Sequence, residues 1–339
     1  RLPNGEEHLL SGGEPGPQAT LIVKDYGFAR RVLAAGDIGF AEGYMAGEWD
    51  TPHLATLLET LVENYDHIRR LFDGNWIFMA LNWWGHRRNR NSKAGSKKNI
   101  HAHYDLGNAF YASWLDGSMT YSSARFSRPD EALEAAQHEK YAALARLMDL
   151  RPGHTVLEIG CGWGGFAEFA AREVGADVTG VTISREQYDF ARQRLFQAGL
   201  SDRARIELID YRDVAGLFDR VASIEMFEAV GKEYWPAYFD KIHAVLNPGG
   251  KAGLQIITIQ DALFEGYDTR TDFIQKYVFP GGMLPTREHL ASLGRQVGLA
   301  TASDIGFGHD YARTLAEWRH RFWAAWERIV PLGFDERFR

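Results

Sequence analysis

The segment Val156-Leu-Glu-Ile-Gly-Cys-Gly-Trp-Gly-Gly165 decides the fold prediction for this chain of 339 residues. A mainly apolar run leads into Gly160, Gly162 and Gly164, which predicts a buried strand, a tight turn and the start of a helix. Glycine lets the backbone turn sharply and lets a ligand approach without meeting a Cβ. The spacing is G-x-G-x-G-G with Glu158 before it, whereas nicotinamide enzymes use G-x-G-x-x-G. A tight turn without a ligand is the alternative interpretation.

Strand and helix patterns alternate around this segment, which predicts an α/β domain with a parallel sheet and helices on both faces. The predicted strands are Thr155–Ile159, Val178–Thr182, Arg205–Ile209, Arg220–Ile224 and Gly253–Thr258. The predicted helices are Phe166–Val174, Arg185–Gln197, Tyr234–Val245 and, near the end, Ala312–Ile329.

Polar residues follow the predicted strands. Thr182 and Gln187 flank the end of the second strand, and Asp210-Tyr-Arg-Asp213 ends the third. Ligands of open α/β sheets bind beyond the carboxyl ends of the strands, so these groups predict one binding site. Together with the glycine segment they resemble the cofactor site of class I S-adenosylmethionine (SAM) methyltransferases.

The N-terminal part has a different pattern, and we predict a small, mainly helical domain over residues 1–85. Its apolar face is predicted from three-to-four spacing at Leu54, Leu57, Leu58, Leu61 and Val62. A basic linker is predicted at 86–100, because six cations and no acid lie between Arg87 and Lys98. The SAM domain is assigned to 101–339, and we expect its terminal segment to continue further.

Composition excludes several classes of protein. The net charge is −7, and residues 1–100 hold 12 basic and 12 acidic side chains, so a general nucleic-acid binder is not expected. Cys161 is the single cysteine, which excludes a disulfide framework and a cysteine-built zinc site. No apolar run reaches the ~18–20 residues of a membrane span.

An ordered set of segments resembles the cyclopropane-fatty-acyl-phospholipid synthase family from about residue 20 onward. They are His103-Tyr-Asp-Leu-Gly-Asn108, Met119-Thr-Tyr-Ser-Ser123, the glycine segment, Thr182-Ile-Ser-Arg-Glu-Gln187, Asp210-Tyr-Arg-Asp213, Met226-Phe-Glu228, Phe279-Pro-Gly-Gly-Met-Leu-Pro285 and Gly308-His-Asp-Tyr311. The family implies methyl transfer from SAM to a cis double bond of a phospholipid acyl chain. By this resemblance the cofactor-binding residues are Tyr121, Ser122, Glu158, Gly160, Gly162, Gly164, Thr182, Gln187, Tyr211 and Arg212.

The family also implies a bicarbonate ion held by a Cys, a Glu, a His and a Tyr, which takes the proton lost after methyl transfer. Glu228 and Tyr311 match two of these positions, but Ser123 and Gln255 replace the Cys and the His. These changes weaken the expectation of bound bicarbonate, although all four residues remain the catalytic candidates. We hypothesise that the base is placed differently here. Loss of a proton from the new methyl closes a cyclopropane, whereas loss from a neighbouring carbon leaves a branched chain.

Other interpretations remain open from the sequence. Glu228 could be a structural acid and Tyr311 a core residue, whereas a metal at His101 and His103 lacks further ligands at suitable spacing. The basic linker could simply be solvated, or it could bind anionic phospholipid headgroups. We expect a homodimer at the cytoplasmic face of the membrane. The alternatives are a methyltransferase for a small soluble acceptor and a lipid- or SAM-binding protein without turnover.

Overall fold

The computed structural model describes residues 1–72, 106–336 and 338–339, and the chain divides into two compact units. The described residues 1–72 and 266–280 form the first unit, and the rest form the second. Segment 266–280 therefore groups with the N-terminal part, whereas the SAM domain predicted over 101–339 includes it. The predicted boundaries at 85 and 100 and the basic linker lie outside the described residues.

The first unit is mainly helical. A short antiparallel pair, β1 (Ile22–Val23) and β2 (Trp49–Asp50), accompanies α1 (Gly27–Met45), α2 (Leu54–Glu63) and α3 (Tyr65–Phe72). Trp49 is almost fully buried, and its Nε1 donates to the backbone oxygen of Phe40 at 2.8 Å.

The predicted apolar face of α2 is only partly correct. Leu57 is buried, and Leu54 and Leu61 pack against the same core as Trp49. Leu58 and Val62 are exposed instead, at 44% and 71%. The buried face of α2 is narrower than the predicted apolar face, because only one side of the helix packs against the core.

The second unit contains the predicted parallel sheet, with strand order β5-β4-β3-β6-β7. The strands are β3 (Thr155–Ile159), β4 (Asp177–Thr182), β5 (Ala204–Leu208), β6 (Phe218–Ile224) and β7 (Leu246–Gln255). Four lie within a residue or two of their predicted ranges. The fifth begins earlier and ends earlier than predicted, because Asn247-Pro-Gly-Gly250 joins the strand at an irregularity in its pairing with β6.

Helices cover the sheet and extend beyond it. They are α4 (Asn108–Trp114), α5 (Leu133–Leu147), α6 (Gly165–Phe169, continued by a π-helical turn at Ala170–Val174), α7 (Arg185–Gln197), α8 (Trp235–Val245), α9 (Asp261–Tyr267), α10 (Arg287–Gln296) and α11 (Gly308–Ile329). Among the helices of the described residues, none combines the length and apolar character that crossing a bilayer requires.

Two buried clusters position the site. One lies around the β3–α6 region and includes Val156, Cys161 and Phe166. The other is aromatic and joins α4 to α11, with Tyr111, Trp114 and Trp318 among its members. The site described below lies in the second unit, at the carboxyl ends of the strands.

Candidate active site

The glycine turn after β3 has the conformation that the sequence predicted. Gly160, Gly162 and Gly164 have φ values of 78°, 52° and 82°, a region that residues with a Cβ rarely adopt. The backbone nitrogens of Gly160 and Cys161 both donate to the Val181 oxygen at 3.0 Å, which ties the turn to β4.

The surroundings of the turn fit a bound ligand. A Cβ at Gly160 would lie 2.6 Å from Cγ of Met226, whereas one at Gly162 would meet no atom within 4 Å. The Gly162 side of the turn is therefore open. Cys161 is buried in the core cluster, and burial raises the pKa of its thiol well above the usual value, which disfavours a nucleophilic thiolate.

Glu158 lies on β3 and is 3% exposed. Burial raises the pKa of its carboxyl to about 8. Its Oε2 is enclosed and has no hydrogen-bond partner among the described residues. An unpartnered polar atom of this kind, beside an open glycine turn, fits a polar cofactor such as SAM.

Two further cofactor candidates lie at the end of β4. Thr182 Oγ1 donates to Gln187 Oε1 at 3.0 Å, and Ser184 caps α7 by accepting from the Gln187 backbone nitrogen at 3.3 Å. Both Thr182 and Gln187 are buried. The cap therefore holds Gln187 next to Thr182. This agrees with the prediction that both residues belong to one site at the end of this strand.

The group after β5 is held by a bidentate ion pair. Arg212 Nε and Nη2 donate to the two carboxylate oxygens of Asp210 at 2.8 and 2.6 Å. Burial raises the pKa of the Tyr211 hydroxyl to about 12. The Arg212 guanidinium carbon lies 5.6 Å from the centre of the Tyr211 ring. The ion pair fixes the side chains of Asp210 and Arg212 at the same edge of the sheet as the glycine turn.

The segment from Tyr121 to Ser123 is anchored by helix α5. Lys140 Nζ donates to Ser122 Oγ at 2.6 Å, and Gln137 Nε2 donates to the Ser122 backbone oxygen at 2.9 Å. Both anchoring side chains are fully buried. Burial lowers the pKa of Lys140 to about 7, although Glu225 opposes this shift.

The four catalytic candidates lie next to the carboxylate of Glu225, which was not among the predicted site residues. Glu225 Oε1 accepts from the Ser123 backbone nitrogen and from Gln255 Nε2, both at 2.8 Å. Glu228 Oε1 accepts from the Ile257 backbone nitrogen at 2.6 Å, and its Oε2 is enclosed without a partner among the described residues. Burial, together with the neighbouring Glu225, raises the pKa of Glu228 to about 8.

Tyr311 lies on α11 beside the same group. Its pKa is raised, first by burial and then by the negative charge of Glu225. On the same helix, Thr314 Oγ1 accepts from the Ala124 backbone nitrogen at 3.0 Å, so α11 is fixed against the segment that carries Ser123.

An aromatic wall adjoins this group. The Tyr121 ring centre lies 5.1 Å from Trp318 and 5.7 Å from Trp114, and Tyr311 lies 6.4 Å from Trp318. Trp114 and Trp318 are both nearly buried. An apolar and π-rich surface therefore meets the acidic side chains.

The structure thus assembles the predicted site residues in the second unit and adds Glu225, Lys140 and Gln137. Lys140 and Gln137 were missed because a polar residue in a helix looks solvent-exposed until its packing is known. Among the described residues no three His, Cys, Asp or Glu side chains gather as metal ligands, and His101 and His103 lie outside those residues.

The parallel sheet, the glycine turn and the polar groups at the strand ends define a SAM-dependent methyltransferase of the class I type. The comparisons identify the family. The model of the family described as "Mycolic acid cyclopropane synthetase" matches residues 91–339, and this chain belongs to that family.

The relatives agree with this assignment. The chain is 37% identical to the tuberculostearic acid methyltransferase UfaA1 of Mycobacterium tuberculosis, over 100% of this chain and 81% of the relative. It is 34% identical to the cyclopropane-fatty-acyl-phospholipid synthase of Escherichia coli K12, over 97% and 82%. Mycolic acid cyclopropane synthase CmaA1, solved with SAH and CTAB, superposes with a TM-score of 0.66 at 28% identity, covering 71% of this chain and 88% of CmaA1. The predictions of family, fold class, enzyme class and SAM as cofactor are confirmed.

Proposed function

We propose that this enzyme transfers a methyl group from SAM to the cis double bond of an unsaturated acyl chain carried by a phospholipid. The observation that carries the proposal is the aromatic wall of Tyr121, Trp114 and Trp318, which is joined through Tyr311 to the charges of Glu225 and Glu228. Such a surface suits an apolar substrate on which positive charge develops. The names of the relatives, which include a fatty-acyl-phospholipid synthase, support the same substrate class.

The cofactor would be held by the residues that meet at the carboxyl ends of β3, β4 and β5. When bound, SAM supplies an electrophilic methyl group on a sulfonium ion. The open space at Gly162 would leave room for the cofactor. The buried side chains of Thr182 and Gln187 would donate or accept hydrogen bonds beside it. Glu158 Oε2 has no hydrogen-bond partner within the described part of the chain. The same set includes Tyr121, Ser122, Gly160, Gly164, Tyr211 and Arg212.

The chain's own residues have three tasks on the acyl chain. An alkene is a neutral nucleophile, so its addition needs positioning and no base. Aromatic faces stabilise the resulting cation by about 0.5–2 kcal/mol each, and the wall excludes water that would convert the cation to an alcohol. A carboxylate must then remove a proton, and the C–H bond that faces it decides between a ring and a branched chain.

The test is a turnover assay with defined vesicles. We expect S-adenosylhomocysteine to form with dioleoyl phosphatidylglycerol vesicles and not with dipalmitoyl vesicles, which have the same headgroup but lack the double bond. Turnover on both lipids, or turnover only with a soluble acceptor, would contradict the proposal. NMR of the recovered lipid then separates a cyclopropane from a methyl- or methylene-branched chain. A cyclopropane as the sole product would refute the branching hypothesis.

Binding at the inner, cytoplasmic face of the membrane is part of the proposal. Cations near an anionic surface contribute about 1 kcal/mol each, and the basic segment supplies six: Arg87, Arg88, Arg90, Lys93, Lys97 and Lys98. Replacing them with Gln should abolish co-sedimentation with anionic vesicles but leave SAH binding unchanged, and unchanged co-sedimentation would count against this step.

We also propose a homodimer, for which the expected sedimentation mass is twice that of the chain.

A further inference from the structure

The Glu225 carboxylate occupies the centre of the group that the family resemblance assigns to a bicarbonate ion. Ser123 and Gln255 stand where the family has its Cys and its His. The backbone nitrogen of Ser123 and Nε2 of Gln255 both donate to Glu225 Oε1 at 2.8 Å, whereas Ser123 Oγ donates to the Ala124 backbone oxygen at 3.0 Å. Gln255 Nε2 also donates to the Ser123 backbone oxygen at 3.1 Å, which locks the two residues together. The Gln255 side chain and the Ser123 backbone therefore bind a carboxylate of the chain itself.

The remaining two members of the group lie next to the same carboxylate. The charge of Glu225 contributes to the raised pKa of both Glu228 and Tyr311. Both hydrogen bonds go to Oε1, whereas Oε2 accepts none from the described residues. One carboxylate oxygen is thus held in place and the other is available.

The backbone at Glu225 is strained in a way that favours glycine. Its φ is 47°, and the described residues include only two other non-glycine residues with positive φ, Met119 and Asp149. Such a conformation costs a residue with a Cβ about 1–2 kcal/mol. Strained positions of this kind cluster at functional sites, where the surroundings enforce them. Here the backbone nitrogen of Glu225 donates to the Gln255 oxygen at 2.8 Å, which fixes the strained residue to β7.

A buried cation balances the carboxylate. Burial raises the pKa of Glu225, and the charge of Lys140 is the largest influence that opposes this rise. Lys140 is held by Ser122 at 2.6 Å, and Asp116 and Glu158 are its other acidic neighbours. Lys140 is thus a positioning residue that keeps a charged Glu225 tolerable in a buried site.

We propose that the Glu225 carboxylate replaces bicarbonate as the base that removes the proton after methyl transfer. This inference rests on the proposed function. In the step, a C–H bond of the new methyl group or of a carbon beside the cationic carbon breaks, and its electron pair forms the new C–C bond of a ring or the new C=C bond of a branched chain. The proton goes to Oε2 of Glu225, which becomes a neutral acid and later releases the proton to solvent.

The experiment compares turnover on dioleoyl phosphatidylglycerol vesicles in bicarbonate-free buffer and after addition of bicarbonate. Wild-type turnover is measured first, and its absence would refute the proposed function and not this inference alone. We expect the wild-type rate to be the same in both buffers. Glu225→Gln should be slower by at least about 100-fold, because the base is lost. Glu173→Gln, which removes an exposed carboxylate, should match wild type.

Glu225→Gly is the sharpest variant, because glycine relaxes the positive φ and leaves space for a free anion. We expect it to be slow without bicarbonate and to regain at least about tenfold when bicarbonate is added. Calorimetric SAH binding and thermal unfolding establish that each variant is folded. The inference is overturned by a wild-type enzyme that needs bicarbonate, by Glu225→Gln at near wild-type rate, or by a folded Glu225→Gly that bicarbonate does not accelerate.

Discussion

The Gly162→Ala substitution tests whether the open side of the glycine turn holds the cofactor. A Cβ at this position would meet no atom of the protein within 4 Å, so the change adds a methyl group only to space that a ligand could use. Crowding of one extra methyl costs about 1–3 kcal/mol in a packed contact. That range corresponds to SAH binding weaker by about 5- to 150-fold. The positive φ of 52° should lower the free energy of unfolding by about 1–2 kcal/mol.

Gly199→Ala is the matched control, because Gly199 lies outside the site, has a positive φ of 69°, and an added Cβ would meet no atom within 4 Å. It should lower the free energy of unfolding by the same ~1–2 kcal/mol and leave SAH binding unchanged. Titration calorimetry with SAH and urea unfolding measure both quantities. If Gly162→Ala binds SAH as tightly as wild type, the ligand does not approach this side of the turn and the reasoning fails.

Three further predictions concern stability and are measured by urea unfolding. Arg194→Met breaks a largely buried ion pair with Glu168 and should lower the free energy of unfolding by about 1.5–3 kcal/mol. Arg185→Met breaks an exposed ion pair and should change it by less than about 0.5 kcal/mol. Equal losses in the two variants would contradict this prediction. Because burial raises the pKa of Glu158 to about 8, the folded state holds the Glu158 proton more tightly than the unfolded state does. The free energy of unfolding should therefore fall as pH rises from about 4.3 to 8, and Glu158→Gln should make that fall smaller. Thr286→Ala removes the cap of α10 and should cost about 1 kcal/mol, of which Thr286→Ser should restore most.

The sequence predicted those parts of the fold that depend on local patterns. Apolar runs ending at glycine or polar residues marked the strands, since a parallel sheet buries both faces of its strands. The start of β7 was missed because Asn247-Pro-Gly-Gly250 has the composition of a turn, yet the strand continues through it, and Leu246 before it and Lys251 after it pair with β6. The membership of 266–280 in the first unit depends on contacts distant in sequence: Lys276 and Tyr277 both donate to Glu42 Oε1, at 2.7 and 2.6 Å.

The site was predictable in its residue types but not in its central charge. Ser123 and Gln255 were recognised as departures from the family pattern, and the hypothesis of a displaced base followed from them. What the sequence could not supply was the partner of these residues, because Glu225 lies 102 residues from Ser123 and its carboxylate meets them only through the sheet. Lys140 gave no signal for the same reason, since its burial depends on how α5 packs.

The most direct test of the account is the mass of the acyl chain recovered from dioleoyl phosphatidylglycerol vesicles after incubation with the enzyme and SAM. We predict that the oleoyl chain gains the mass of one CH2 group, with one S-adenosylhomocysteine formed for each chain modified. S-adenosylhomocysteine formation with an unchanged acyl chain, or no formation at all by a folded enzyme that binds SAH, would contradict the central claim.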